Sequence, residues 1–325
     1  MASELSPSTP PGASPSVFLA VAIPTFNRAP LLAELLGQFA DELEAAPRLV
    51  SKLGFYILDN ASTDDTPEVV GEFRRRVGRV DVLRRPENLG IRVNVLDAYR
   101  RADGRFRWVI GDDEILHPGA LARLVDALET HDPGLAVAFP SGYALGFEAG
   151  RFDDLRAFVR RAADANPHAL GEHTLCSCNI VRADCYDATW ADANREMFYG
   201  QMFGAMRPLH RAGAPVLVPD FPVISLRGDP ADGGADSTPD GPGRTEPADG
   251  RWADVDACWI HYLSWLRDEV GVPELDPEAP SERARRDLWT SIRRSPLAFL
   301  KKHRKALLSP SAYKFGLRRL LGLRS

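Results

Sequence analysis

Short apolar runs rich in β-branched residues alternate with stretches of helical periodicity, and this alternation limits the possible folds more than any other feature of the chain. The first run, 17–23, is short enough for a strand buried on both faces. Apolar residues then recur at helical spacing over 29–43, and Pro30 suits a first helical turn. The pattern predicts an α/β fold with a mostly parallel sheet and right-handed crossovers. Later strands are predicted at 54–59, 80–85, 105–111 and 134–140, with helices at 66–77, 90–102 and 118–131.

The chain beyond residue 145 is less regular. Its pattern indicates helices at 151–162 and 195–213 and strands at 173–183 and 215–227. Residues 227–250 hold too few apolar side chains to pack, so we expect a flexible loop or linker there. The predicted organisation is a disordered leader (1–16), a main domain (17–226) with a regular half (17–140) and a less regular half (141–226), the linker, and a helical C-terminal extension (251–325).

The C-terminal extension is strongly basic, although the whole chain has a formal net charge of -5. Its basic residues alternate with Leu and aromatic residues, as in helices that lie on a membrane surface. A helix packed on the main domain with its charges in solvent is the alternative, and both stay open. Nucleic acid is not an expected partner because no base-stacking motif accompanies the charge. From residue 283 onward, the sequence contains a single acidic residue, Asp287. The basic residues of the same segment are Arg283, Arg285, Arg286, Arg293, Arg294, Lys301, Lys302, Arg304, Lys305, Lys314, Arg318, Arg319 and Arg324.

Targeting and redox signals favour a cytoplasmic protein. No apolar run approaches the roughly 20 residues that span a bilayer, and the N-terminus lacks the basic start and apolar core of a signal peptide. If the basic tail binds lipid, the protein would associate peripherally with the inner face of the plasma membrane. The four cysteines, at 176, 178, 185 and 258, suggest neither a disulfide framework nor paired zinc knuckles. We expect reduced, mostly buried thiols.

Polar segments follow the ends of the first predicted strands, at 24–28, 59–65, 87–90 and 111–114. Ligands of open α/β sheets bind beyond the carboxyl ends of the strands, so these segments are candidates for one site. Simpler explanations exist for each. Residues 59–65 are typical of helix caps and turns, Asn88 and Gly90 would permit a left-handed turn, and the acids at 112–114 would favour the positive end of the next helix.

Taken together, the four segments would surround one crevice with acids, amides and small residues. Hard oxygen ligands suit Mg²⁺ or Mn²⁺ that bridges to phosphate. The chain has no Gly-x-x-x-x-Gly-Lys-Ser/Thr loop, which weighs against P-loop NTPases. No Gly-x-Gly-x-x-Gly turn follows the first strand, which weighs against dinucleotide-dependent dehydrogenases.

The motifs VAIPTFNR, ILDNASTDDT, RPENLGIRVN and WVIGDDEILHPGAL, in this order within 17–140, resemble the family-2 glycosyltransferases of the GT-A fold. They are similar to bacterial sugar transferases that build surface polysaccharides. The resemblance implies a Rossmann-like three-layer sandwich in which 17–140 binds the nucleotide and 141–226 the acceptor. It implies a nucleoside-diphosphate sugar as donor, UDP- or dTDP-linked, and a glycan, lipid-linked or small-molecule hydroxyl as acceptor.

The resemblance also implies roles for individual residues. Asp113 matches the metal-binding acid, and Asp112 matches an acid that meets the ribose or a metal-bound water. Glu114 matches a position that varies within the family. We expect its side chain either to support neighbouring groups of the site or to serve only the following helix. Arg92 would approach the diphosphate or face solvent. The predicted nucleotide-binding residues are Pro24 and Thr25 at the base, Asn27 and Arg28 nearby, Asp59 as acceptor from the base, Asn88, Arg92 and Asp112.

The resemblance implies that a divalent ion would act as a Lewis acid on the leaving diphosphate, while a carboxylate deprotonates the acceptor in inverting members. Many relatives carry a Glu-Asp pair at the place of that base. The matching segment here contains Glu196 without an adjacent Asp, so Glu196, Asp192 and Glu172 are the candidates in that order, each with a surface acid as the alternative. A catalytically silent nucleotide-sugar-binding or scaffold protein of the same fold therefore stays open. A nucleotidyltransferase is a weaker alternative, because its Gly-rich basic loop is missing.

Overall fold

The computed structural model describes residues 16–139, 147–165, 175–194, 200–227 and 261–275. The chain divides into two compact units, residues 1–196 with 200–237, and residues 197–199 with 238–325. In the second unit, 261–268 form a helix in which Tyr262 and Trp265 are buried. No helix within the described ranges has the length and apolar character to cross a bilayer. The predicted leader, most of the linker and the basic tail lie outside the described residues.

The first unit is built on an eight-stranded sheet of order β3-β2-β1-β4-β8-β6-β9-β7. The pairs β3/β2, β2/β1, β1/β4 and β6/β9 are parallel, whereas β8 runs antiparallel to both of its neighbours and β7 runs antiparallel to β9. The predicted mostly parallel α/β sheet is confirmed. The strands are β1 (Val17–Thr25), β2 (Leu53–Asp59), β3 (Val80–Arg84), β4 (Gly104–Val109), β5 (Ile115–Leu116), β6 (Leu135–Val137), β7 (Gly150–Phe152), β8 (Asn179–Arg182), β9 (Val216–Val218) and β10 (Ile224–Ser225).

Helices cover both faces of the sheet, which buries the apolar strands on both sides and gives the predicted three layers. On one face, Leu19, Val21 and Ile23 of β1 share a core with α1, α2 and α4. The small side chains of Ala20 and Ala22 point to the other face, where α3 packs across β1, β2 and β4. The helices are α1 (Ala29–Ala45), α2 (Thr66–Val77), α3 (Ile91–Arg101), α4 (Ala120–His131), α5 (Leu155–Ala165), α6 (Ala188–Ala193) and α7 (Gly200–Ala212).

The less regular half departs from the sequence prediction in several places. The predicted helix at 151–162 begins only at Leu155, because Gly150–Phe152 pairs with β9 as an edge strand. The predicted strand at 215–227 is two short strands, and the second, β10, pairs with β5 in a separate ribbon. Helix α6 was not predicted, since six residues are too few to show a period. Cys176, Cys178 and Cys185 form no disulfide.

The N-terminus of α4 is capped from another helix. The Glu42 carboxylate on α1 accepts hydrogen bonds from the backbone N–H groups of Gly119 and Leu121. The acids at 112–114 do not lie in the first turn of α4, and β5 intervenes between them and the helix along the chain. Glu42 is buried, so its two bonds are shielded from water.

Asp64 connects the first turns of α1 and α2. Its Oδ2 accepts from the Ala29 N–H at 2.9 Å, and its Oδ1 accepts from the Thr66 hydroxyl at 2.6 Å and the Thr66 N–H at 3.2 Å. Thr66 begins α2 but does not cap it, because its hydroxyl donates to Asp64. Burial alone would raise the pKa of Asp64, but these hydrogen bonds outweigh it and lower that pKa.

Replacing Glu42 by Ala should lower the free energy of unfolding by about 1–3 kcal/mol, because two N–H groups at the start of α4 lose their acceptor. Urea unfolding followed by circular dichroism measures this change. Glu44→Ala is the matched control on the same helix, since Glu44 is mostly exposed and pairs with Arg76. We expect the control to stay within about 0.5 kcal/mol of the parent. Equal losses in the two variants would contradict the capping role.

Asp64→Asn should remove part of the pH dependence of stability. The folded pKa of the Asp64 carboxylate lies below its unfolded value of ~4. Such a group stabilises the fold fully at pH values above the unfolded pKa, and this contribution is lost as the pH falls through the folded pKa. The difference in unfolding free energy between the parent and Asp64→Asn should therefore shrink from pH ~5 downward. Asp65→Asn is the control, because the Asp65 side chain makes no capping bond. A parallel shrinkage in the control would refute the assignment.

Candidate functional site

The carboxyl ends of β2, β1 and β4 meet at one edge of the sheet. Thr25 at the end of β1 is in register with Asp59 at the end of β2. On the other side of β1, Ala22 is in register with Val109, and the Ile110 N–H donates to the Ala22 carbonyl. The predicted segments 24–28, 59–65 and 111–114 are thus brought together, as strand ends of a parallel sheet require.

Asp112 is held by two residues from the β1–α1 connection. The Thr25 hydroxyl donates to its Oδ2 at 2.7 Å, and Arg28 Nη1 donates to its Oδ1 at 2.9 Å. The same Arg28 nitrogen lies 2.9 Å from Oδ2 of Asp113. Asp112 is buried, whereas 39% of the Asp113 side chain is exposed. One guanidinium therefore bridges a buried and an exposed carboxylate.

The charges of Arg28, Asp112 and Asp113 interact, and they shift the pKa values of Arg28 and Asp112. Burial raises the pKa of Asp112, although the hydrogen bond from Thr25 and the charge of Arg28 oppose the shift. Burial alone would lower the pKa of Arg28, but the two aspartates outweigh it and raise that pKa. The buried carboxylate is thus stabilised by one donor hydroxyl and one shared cation, as a buried charge requires. Thr25, predicted to line a base pocket, directs its hydroxyl to Asp112.

Asn27 joins the first and second polar segments. Its backbone has a positive φ of 53°, which Asn tolerates better than most residues. The Asn27 N–H donates to Ser62 Oγ at 3.0 Å, and its side-chain oxygen accepts from the Thr63 N–H at 2.7 Å. Asn27 therefore fixes one loop against another.

Asp59 lies buried at the end of β2. Its Oδ1 accepts from the Ser62 N–H at 2.7 Å, and its Oδ2 lies 3.5 Å from Arg84 Nε. The Arg84 guanidinium also donates to the Ser62 carbonyl at 2.8 Å. Sequence reasoning missed Arg84, although its place at the end of the adjacent strand β3 was a signal. Phe26 was not singled out either, and its ring is 39% exposed directly after a buried strand.

Asn88 shapes the third polar segment. Its Oδ1 accepts from Asn60 Nδ2 at 2.6 Å and from the Gly90 N–H at 2.8 Å. Gly90 has a φ of +84° and a ψ of 159° just before α3, a conformation that glycine alone adopts readily, and not the left-handed turn that the sequence suggested. These contacts support the structural alternative for Asn88. Pro24 is buried in β1, and Arg92 is half-buried in the first turn of α3.

Glu114 is buried and interacts electrostatically with the two aspartates, which favours support of neighbouring groups over service to the following helix alone. Burial raises the pKa of Glu114 to about 7, and the charges of Asp113 and Asp112 add to the shift, while the Ser177 hydroxyl opposes it. Ser177 was not predicted, because nothing local marks a serine that precedes a distant strand.

Of the candidate bases, only Asp192 lies in the described part of the chain, since Glu196 and Glu172 fall outside it. Asp192, on α6, forms an ion pair with Arg100 in the last turn of α3. Helix α3 rises about 14 Å between Ile91 and Arg100, away from the carboxyl edge of the sheet. This position argues against Asp192 as a base at Asp112 and Asp113.

Two carboxylates, Asp112 and Asp113, are the candidate metal ligands. Within the described ranges, no group of three or more His, Cys, Asp or Glu side chains is arranged to hold a metal ion. Mg²⁺ and related ions are commonly bound through one or two carboxylates together with substrate phosphates and water, so a donor set of this size fits such an ion.

Comparisons with known proteins agree with this geometry. Glycosyl transferase family 2 matches residues 20–183. Over 115 residues, the chain is 31% identical to abequosyltransferase RfbV of Salmonella typhimurium, a match that covers 35% of this chain and only 33% of that protein. The crystal structure of S. aureus TarS 1-349 has a TM-score of 0.53 at 15% identity and covers 78% of this chain and 66% of that chain.

The same TarS fragment in complex with UDP has a TM-score of 0.52 at 17% identity. At such identities, the similarity to TarS concerns the fold, which is that of GT-A glycosyltransferases. The family match covers about half of the chain and includes each of the polar segments at the sheet edge. The chain therefore belongs to glycosyl transferase family 2.

Proposed function

We propose that this protein is a glycosyltransferase that moves a sugar from a nucleoside-diphosphate donor to a hydroxyl acceptor with the help of Mg²⁺ or Mn²⁺. The observation that carries the proposal is the convergence of Asp59, Asp112 and Asp113 around the end of β1. The family match and the similarity to an abequosyltransferase support sugar transfer.

The nucleoside would bind at the Asp59 end of the site. Asp59 is an acceptor for the imide N–H of uracil or thymine, and Phe26, one residue beyond the Thr25–Asp59 register pair, offers an exposed ring for stacking. TarS has been captured with UDP and with UDP-GlcNAc, which favours a uridine or thymidine diphosphate sugar here. Arg84 beside Asp59 would neutralise the buried acid until the base arrives.

The diphosphate and its metal would bind at the Asp113 end. Asp113 is the more exposed carboxylate and would ligate the ion, with Asp112 oriented by Thr25 as the second acid. A divalent ion supplies Lewis-acid stabilisation of the leaving diphosphate. Arg28 already holds positive charge between both acids and is long enough to contact a diphosphate oxygen instead.

The acceptor side remains a prediction from the family resemblance. Asp192 is paired with Arg100, so Glu196 and Glu172 are left as the proposed bases, together with inversion at the anomeric carbon. Membrane contact through the basic tail and a cytoplasmic location are likewise predictions, and they rest on the sequence alone. The silent nucleotide-sugar binder is the alternative function, favoured by the missing Glu-Asp pair.

Asp113→Asn should abolish metal-dependent chemistry. Loss of a supporting partner of a metal ligand commonly costs roughly 10- to 100-fold in affinity or activity, so loss of the ligand should cost at least about 100-fold. The measurement is release of the nucleoside diphosphate, UDP or dTDP, from a panel of UDP- and dTDP-sugars with Mn²⁺ or with EDTA. Asp126→Asn is the control, because Asp126 pairs with Arg48 at an exposed position of α4. A parent protein that binds the donors without metal-dependent turnover would establish the silent binder.

Phe26→Ala should weaken binding of UDP in EDTA by about 1–3 kcal/mol, the range for removal of an aromatic ring that stacks on a base. Isothermal titration calorimetry measures the affinity. Val50→Ala is the control, since Val50 is similarly exposed at the end of the α1–β2 connection. Unchanged affinity in Phe26→Ala would place the base elsewhere.

A further inference from the structure

A single serine supports the start of the acidic turn formed by residues 111–114. Ser177 Oγ accepts from the Gly111 N–H at 3.0 Å. The far end of the turn is tied to Gly111 as well, because the Glu114 N–H donates to the Gly111 carbonyl at 3.4 Å. Ser177 is buried, so its bond to Gly111 is not readily replaced by water.

The sheet fixes the position of Ser177. Its carbonyl accepts from Trp108 Nε1 at 2.8 Å, and the adjacent strand β8 pairs with β4 through Ile180 and Trp108. Trp108 is fully buried and packs edge-on against Phe39. Ser177 is therefore anchored to the strand that leads into the acidic turn.

The turn itself is tightly wound. A Cβ at Gly111 would lie 3.1 Å from Asp113 Oδ1 and 3.3 Å from Glu114 Oε1. Asp112 and Asp113 follow directly on the residue that Ser177 holds, so a shift at Gly111 must move their carboxylates. Thr25 and Arg28 bind the carboxylates themselves, whereas Ser177 holds the backbone that carries them.

We propose that Ser177 is a positioning residue that acts through the backbone of Gly111 to direct the Asp112 and Asp113 carboxylates toward the donor's metal ion. The inference rests on the proposed function, because it assumes a metal at these acids. Ser177 contacts neither donor nor metal in this arrangement. Its hydroxyl should therefore affect metal affinity far more than affinity for the nucleoside part of the donor.

The test compares the full-length parent with Ser177→Ala, Ser177→Cys and Ser177→Thr. Mn²⁺ affinity is measured in saturating UDP by electron paramagnetic resonance of free Mn²⁺, and UDP affinity is measured separately in EDTA. We expect Ser177→Ala to weaken Mn²⁺ binding roughly 10- to 100-fold, as for other groups that hold metal ligands in place. UDP affinity in EDTA should change by less than about 2-fold. Ser177→Cys, whose sulfur is a weak acceptor, should resemble Ala, whereas Ser177→Thr, which keeps the accepting hydroxyl, should restore most of the affinity.

A variant with a truncated core residue, Leu128→Ala on α4, separates positioning from general loss of stability. Leu128 is fully buried at a distance in sequence from the turn, and its truncation should lower the melting temperature without changing Mn²⁺ affinity. If Ser177→Ala does not fold, Ser177→Cys carries the same comparison.

The outcomes distinguish the inference from the function on which it rests. A parent protein that binds UDP but no Mn²⁺ would overturn the metal-dependent proposal and this inference together. Mn²⁺ affinity that is normal in Ser177→Ala and Ser177→Cys would overturn the inference alone. Equal losses in the Ser177 variants and Leu128→Ala would also overturn it, because they would reflect stability rather than position.

Discussion

Parallel pairing of β1 with β2 on one side and β4 on the other is the constraint on which the rest of the structure depends. It places the ends of three segments that are distant in sequence at one edge, in the register Thr25 with Asp59 and Ala22 with Val109. Such pairing requires apolar cover on both faces, which α1, α2 and α4 provide on one side and α3 on the other. The polar residues of the site are therefore confined to the strand ends.

The acids at this edge are balanced locally by cations and donors. Arg28 is shared by Asp112 and Asp113, and Arg84 lies beside Asp59. A buried carboxylate without such a partner would be protonated or would destabilise the fold. Under the proposed function, a metal ion and a diphosphate bring both signs of charge to the same place. Arg28 would then pair with a phosphate instead of a carboxylate. Before the donor binds, its pairing with the carboxylates limits the electrostatic cost of their negative charge.

Local sequence pattern predicted the sheet, its first strands and helices, and the residues at the strand ends, because apolar periodicity and polar strand ends are local properties. It did not predict which side chains form hydrogen bonds with groups that are distant in sequence. Glu42 caps a helix 77 residues away in sequence, and Ser177 supports a turn 66 residues away. Antiparallel insertion of β8 and the pairing of Asp192 with Arg100 depend likewise on tertiary neighbours. The choice between the two roles expected for Glu114 also required the fold, because its burial and its interaction with Asp112 and Asp113 are tertiary properties.

The strand order also limits how a nucleotide can lie in the site. Strands β2 and β4 flank β1, so Asp59 and Asp112 are separated by two strand spacings, roughly 10 Å. A donor that places its base at Asp59 and its diphosphate at Asp113 must cross the end of β1 with its ribose. The residues at this crossing are Thr25 and the loop that follows it, whose positions are set by Asp112 and by the Asn27 contacts with the second loop. The hydrogen bonds that fix this loop therefore determine the spacing between base and metal, even where they do not contact the donor.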